Sequence, residues 1–223
     1  MAYNHIPAWV KWLQTAFVCV LVPAYWVYYG PTNFLWFSDI ALLTSVVALW
    51  TRSSLLASMQ AVAVTALEFV WIADFLLRLF ADVRLIDLSE YMFDPTIPLW
   101  LRALSLFHVW MPLLLLYALG KLGYDRRAFW IQTAVALCIL PICYYGFDPS
   151  LQTNDTVMPH VLGLPFDRDF NINWVHAFYD RPEPELERRR FWTVLLGYPL
   201  AVHLPTHLLL SLRPWSRIRT VET

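Results

Sequence analysis

The 223-residue chain is 59% hydrophobic and only 15% charged, against roughly 25% charge in ordinary soluble domains. It therefore lacks the charged surface that keeps a domain dispersed in water. The formal net charge is −1 and no basic tract interleaves with aromatics, so no nucleic-acid partner is indicated. The expected fold is all-α: a six-transmembrane-helix bundle with a short interfacial helix and a long capping loop between helices five and six, forming one integral membrane domain over residues 1–223.

A helix needs about 20 apolar residues to cross the hydrocarbon. The first predicted span runs from about Trp9 to Tyr29. The opening MAYNHIPAWVKWLQ lacks the basic start and small-residue cleavage site of a signal peptide, so this run is expected to stay as a span. Tyr29-Gly30-Pro31 is a tight break. The second span runs from about Asn33 to Trp50, and Thr51-Arg52-Ser53-Ser54 turns the chain again, with serine as helix cap. The third runs from about Ser54 to Phe80. Asp82 to Pro98 alternates apolar and acidic residues, which predicts the short interfacial helix. The fourth span runs from about Ile97 to Leu119, the fifth from about Arg127 to Tyr145 and the sixth from about Phe191 to Leu212. Between the last two, Phe147 to Arg190 is the one long polar segment, read as a cap or functional loop. Trp174 and Tyr179 would anchor it at the headgroup level.

Short breaks imply antiparallel neighbours. Cys19, Cys138 and Cys143 all lie in apolar stretches without a CxxC pair, so they read as buried small hydrophobes. The bases Lys11, Arg52, Lys121, Arg126, Arg127, Arg213, Arg217 and Arg219 share one side if both termini are cytoplasmic. Bases alone nearly balance across the membrane, with Arg188-Arg189-Arg190 on the opposite side. The orientation adopted is termini inside, in a bacterial cytoplasmic membrane.

An ionisable side chain in hydrocarbon costs at least ~2.5–3.5 kcal/mol and persists where it faces a partner or a wet cavity. Function is therefore sought among the few polar residues at membrane depth. Asn33, Ser38 and Asp39 lie on the second helix. Gln60, Val64 and Glu68 form one stripe of the third, where Asp74 is expected to pair with Arg78 four residues on. Arg102, Ser105, His108 and Pro112 follow one face of the fourth. Glu68 and His108 are the candidate acid/base groups with Asp39, or else groups that pin helices together. Asn33, Ser38, Gln60, Ser105, Asn173 and Trp174 are candidate ligand contacts. In the long loop, Asn171 and Asn173 alternate with Phe170, Ile172 and Trp174, a half-buried pattern with amides on one face. His203 and His207, four apart on the last helix, share a face and could supply two metal ligands. Pro205 between them disturbs the helix, and an interhelical polar pair is the simpler reading, so no metal is assigned. There is no GxSxG; Ser38, Ser105 and Thr65 would act as nucleophiles only beside a histidine.

The stretches NFLWFSDIALL, YMFDPTIPLWLRALSLFHVWMPLLLLYAL and NINWVHAFYDRP, each in its place along the chain, resemble YwaF-type bacterial integral membrane proteins. Those are similar in turn to two groups of six-helix lipid enzymes: a transmembrane ether-lipid acyltransferase and the androgen-induced hydrolases of fatty acid esters. The sharpest shared feature is a histidine followed by a proline within the fourth helix, here His108 and Pro112. The resemblance implies six helices around a membrane-buried polar site. In the hydrolase branch a threonine early in the second helix works with that histidine. The corresponding place here is Trp36, with Thr32 and Ser38 near. The acyltransferase branch uses a cysteine, and this helix has none. The histidine carries over, and the nucleophile does not.

Three functions follow. The chain binds a lipid or small hydrophobic ligand, or serves as an accessory subunit of a membrane complex. Alternatively it is an intramembrane lipid-modifying enzyme, a hydrolase or acyltransferase using His108. A third possibility is a proton path through Asp39, Glu68 and His108, against which stand the absence of internal repeats and the 6 glycines. The expected partners are membrane lipids and other membrane subunits, and the sequence names no cofactor.

Overall fold

The computed structural model describes residues 5–86, 88–146, 171–176 and 183–212. Every regular element among them is helical. The helices are α1 (Ala8–Tyr29), α2 (Phe37–Thr51), α3 (Ser54–Ala81), α4 (Leu99–Leu104), α5 (Phe107–Leu122), α6 (Ala128–Gly146), α7 (Pro184–Gly197) and α8 (Leu204–Leu212). α4 and α5 form one span with a break at Ser105 and Leu106, and α7 and α8 form another through a π-helical stretch, Tyr198–His203.

Local chemistry explains the ends. Gly30 leaves α1 at φ 80, Arg52 ends α2 in the left-handed region and Asp82 ends α3 likewise. Ser53 caps α3 as expected, its hydroxyl accepting from Leu56 N at 3.2 Å. Among the described residues, five helices are long and apolar enough to cross a membrane: Ala8–Tyr29, Ser54–Ala81, Leu99–Leu122, Ala128–Gly146 and Pro184–Leu212. They present large apolar side chains outward, among them Leu13, Leu113, Trp130 and Leu200. That is the surface of a protein whose solvent is lipid, and the chain is an integral membrane protein in an all-α bundle.

The remaining helix differs from expectation. α2 has only 15 residues, about 22 Å at 1.5 Å each, short of a hydrocarbon core of about 30 Å. The predicted span from Asn33 is divided: Pro31–Leu35 is a 3₁₀ helix, and Trp36 (φ −59, ψ 135) separates it from α2. The predicted interfacial helix is a single 3₁₀ turn, Glu90–Phe93. The last helix starts at Pro184, so most of the charged PEPELERRR run is helical rather than loop. Of the long segment between α6 and α7, residues 147–170 and 177–182, Tyr179 among them, lie outside the described residues.

α3 is the axis of the bundle. It packs against α2, α5, α6, α8 and the π stretch. Its residues from Ala57 to Thr65 are buried without interruption, as expected of a helix enclosed on all sides. Ala57, Ala61 and Ala63 keep that segment narrow, which lets neighbouring backbones approach. The alternation of spans places Pro31–Leu35, Glu90–Phe93 and Ile172–Trp174 at one end. The turns at 52–53 and 123–127 lie at the other, where Asp125 N donates to Ser58 Oγ at 2.9 Å.

Candidate functional site

Glu68 faces α5 from the middle of α3. Its Oε2 lies 2.6 Å from Nδ1 of His108, with one proton between them. The carboxylate side chain is 4% exposed and the imidazole 14%. The ring is held between two aromatic plates: Trp71 stacks on it at 4.7 Å and 25°, and Phe107 at 4.1 Å and 26°. Trp71 is three residues after Glu68 and shares its helix face. One helix thus supplies both the carboxylate and a wall, and α5 supplies the imidazole and the other wall.

A hydroxyl network lies beside this pair. Tyr25 of α1 and Ser105, at the α4–α5 break, bond through their hydroxyls at 2.6 Å. Tyr91, in the 3₁₀ turn, lies near Ser105 and Glu68, with its ring 6.5 Å from that of Trp71; burial raises its phenol pKa well above the ordinary value. Tyr198 of the π stretch lies near Glu68 as well. Asp39 comes from the first turn of α2, where the helix dipole favours an acid. It is buried and near enough to Glu68 and Tyr25 to interact with both. Its Oδ2 accepts from Asn33 Nδ2 at 3.2 Å, and its Oδ1 has no partner among the described residues. Glu68, His108, Asp39, Asn33 and Ser105 therefore belong to one polar cluster near the end that carries the long loops.

The other sequence candidates are placed differently. Ser38 is half-buried at the start of α2. Gln60 is buried two turns below Glu68, and its Oε1 has no partner among the described residues. Asn173 is fully buried and clamps the start of α2: its Oδ1 accepts from Phe37 N at 3.1 Å, and its Nδ2 donates to Leu35 O at 2.9 Å. It also touches Cys143 Sγ at 3.7 Å. Both ends of this amide are engaged by the protein. Trp174 packs edge-on against Trp36 at 5.2 Å, and its carbonyl accepts from Arg190 Nε. Asn171 closes its own turn by exchanging hydrogen bonds with the His176 backbone.

Three expectations are corrected. Asp74 does not pair with Arg78. Its carboxylate accepts from Ile86 N, Ser89 N and Ser89 Oγ at 3.0, 2.9 and 2.7 Å, tying the following loop to α3. Arg78 instead pairs with Asp82 and reaches Glu90. Arg102 does not continue the face of His108, because the helix breaks between them; it donates to Met92 O at 2.7 Å. Cys19 and Cys138 are exposed along their helices, and of the three cysteines only Cys143 is buried.

His203 and His207 reach separate partners, Thr133 Oγ1 at 3.2 Å and the Tyr124 hydroxyl at 2.6 Å. No group of three metal-ligating side chains forms among the described residues. Outside the cluster, an apolar groove of about 540 Å³ runs between α1 and α5, lined by Leu13, Phe17, Trp110 and Leu114, with Gln14 and Tyr117 also in its wall. Its Phe17 ring lies 6.5 Å from Phe107, the plate behind His108.

The sequence reading missed Tyr25, Tyr91 and Tyr198, because aromatics in membrane helices read as interface belts or filler. The position of Trp71, one turn from Glu68, was the available signal. Comparison of the chain with protein-family models, with curated proteins and with solved structures found no match.

Proposed function

We propose that this protein binds a lipid or small hydrophobic molecule through its intramembrane polar cluster, with the Glu68–His108 pair as the contact for the ligand's polar head. The observation that supports this is the 2.6 Å bond between two ionisable groups brought together inside an apolar bundle. Each group alone is costly at that depth, and a pin between helices would not need Asp39, Tyr25, Tyr91 and Ser105 gathered around it. A hydroxyl or carbonyl could bond to this cluster while the apolar remainder lies along the groove between α1 and α5. In this reading the chain sits in a bacterial cytoplasmic membrane with both termini inside, in contact with lipids and with other membrane subunits. Native mass spectrometry of gently extracted protein is the test. Wild type should retain a hydrophobic adduct that His108→Ala loses; equal retention, or none in either, would end the proposal.

A second reading is favoured by one detail. A carboxylate on Nδ1 holds the ring so that Nε2 is available as a general base, the arrangement found in hydrolytic triads. Nε2 would take a proton from water as the water oxygen attacks an ester carbonyl. The same proton would then pass to the departing alkoxide, giving acid and alcohol. The resemblance to six-helix lipid hydrolases points the same way, and this route needs no protein nucleophile. Turnover of phospholipids and fatty esters should fall by roughly 10²–10⁴ in His108→Ala, the usual contribution of general acid–base catalysis. Unchanged turnover would remove the reading.

A further inference from the structure

The two histidines of the His203-Leu-Pro-Thr-His207 motif, Thr65 of α3 and the Gln132 amide of α6 take no part in the Glu68–His108 bond. They nevertheless leave polar atoms buried: Thr65 Oγ1, both polar atoms of the Gln132 side chain and His203 Nε2 have no partner among the described residues. A buried unmatched polar atom costs about 1–3 kcal/mol, so several of them in one region need a common explanation.

Their placement supplies it. The bond from Asp125 N to Ser58 Oγ sets α3 and α6 running in parallel from the same end, which brings Thr65 and Gln132 to similar depth. Gln132 lies on the buried stripe of α6 with Ala128, Ala136 and Leu140, and α6 packs on α3. The Thr133–His203 bond brings His203 to the same level. In the direction of the polar cluster, the Tyr198 ring meets His203 edge-on at 6.0 Å, and the π stretch that carries both packs on α3, the helix of Glu68. In the other direction, His207 is one turn along α8 and bonds to Tyr124, in the turn at the far end of the bundle. The π stretch Tyr198–His203 is what turns both Tyr198 and His203 inward, and both are buried. Such stretches recur at functional sites.

We propose that this region is a water-binding column. It runs from the 123–127 turn past His207 and His203 to Tyr198 and the Glu68–His108 pair. Water fits because it offers donors and acceptors together, and buried waters typically make about three bonds to such unmatched groups. The column would give the pair water and protons from one side of the membrane, without opening it to the lipid-facing groove. That supply role rests on the pair being a working site; the hydration itself does not.

The test is thiol accessibility in the membrane-embedded protein, since a cysteine reacts as its thiolate and the thiolate needs a wet surrounding. Cys19, Cys138 and Cys143 are first replaced by alanine. Gln132→Cys and Thr65→Cys are then compared with Leu140→Cys and Val62→Cys, also buried on α6 and α3. The probe is methanethiosulfonate ethylammonium. The column predicts modification at least about 10-fold faster at positions 132 and 65, as expected for a thiol in water rather than in an apolar core. Equal, slow rates at all four positions overturn it. If a cysteine variant fails to fold, the unsubstituted protein decides. With ¹⁵N-labelled histidine in lipid, solid-state NMR should show magnetisation transfer from water to the His203 ring. A dry His203 overturns the proposal. If His108→Ala leaves ligand retention and turnover unchanged, the functional reading fails while the labelling pattern still stands, so the two failures are distinguishable.

Discussion

Oε2 of Glu68 and Nδ1 of His108, forty positions apart in the chain, lie 2.6 Å from each other across the contact between α3 and α5. Among the described elements that contact is the most extensive, and it holds the two helices, and with them the pair, together. Its position governs both stability and the site's chemistry.

Replacing both partners should cost less than the two single replacements added together. Glu68→Leu leaves an imidazole without its acceptor, and His108→Phe leaves a buried carboxyl alone; each should lose about 1–3 kcal/mol. The double variant Glu68→Leu/His108→Phe removes both groups and should lose less than the sum of the two. Thermal unfolding of the four proteins in one detergent gives the double-mutant cycle. Strict additivity would show that the two side chains are not coupled.

Asn173 should prove to be a clamp for the start of α2. α2 has no side-chain cap of its own, and the Asn173 amide bonds to Phe37 N and Leu35 O instead. Asn173 also holds φ 57, where asparagine is tolerated better than alanine. Asn173→Ala should cost about 0.5–2 kcal/mol from the lost cap, with further loss from the backbone. Hydrogen exchange of the Phe37 amide should accelerate. Unaltered exchange there would mean that the cap is not maintained in the membrane.

The loop after α3 should come loose without Asp74. Three donors from Ile86 and Ser89 converge on this carboxylate. Asp74→Ala should therefore raise tryptic cleavage after the exposed Arg84. Arg78→Ala, which removes pairs with the exposed Asp82 and half-exposed Glu90 and the contact of the guanidinium with the Phe93 ring, should raise it less. The reverse order would restore the Asp74–Arg78 pair expected from sequence.

The 123–127 turn should weaken in acid. The Arg127 guanidinium beside Asp125 bonds to its carboxylate and, with the Arg127 backbone N–H, holds the carboxyl below the usual range. The folded state then binds fewer protons than the unfolded one. The contribution is fully present above the unfolded value of about 3.9 and is lost as pH falls through the lower folded value. The stability difference between wild type and Asp125→Asn should accordingly be constant near pH 6 and shrink below about pH 4. Unfolding midpoints measured from pH 6 down to acid check this, and a difference that grows on acidification would contradict the sign.

Most of the bundle was legible along the chain because its signals are local. A long apolar run, Gly30-Pro31 after α1 and Ser53 before α3 each act within a few residues, so spans and turns follow from composition and capping alone. α2 escaped this reading because its boundary at Trp36 lies inside a continuous apolar stretch. Hydropathy cannot show where backbone geometry changes, and the residue that caps the helix, Asn173, comes from far along the chain.

The individual members of the cluster were visible as polar residues at membrane depth, but their pairing was not. Helical periodicity fixes which residues share a face, not which face meets another helix. The rotation of α3 against α5 set the Glu68–His108 bond, and a loop folding back gave Asp74 its partners in place of nearby Arg78. The tyrosines joined the site for the same reason: a phenol is apolar filler or a hydrogen-bonding group according to what stands opposite it. Sequence determined the solvent and the spans, because burial in lipid is additive along a chain. Tertiary packing decided the site, because a hydrogen bond requires two particular atoms to come within about 3 Å.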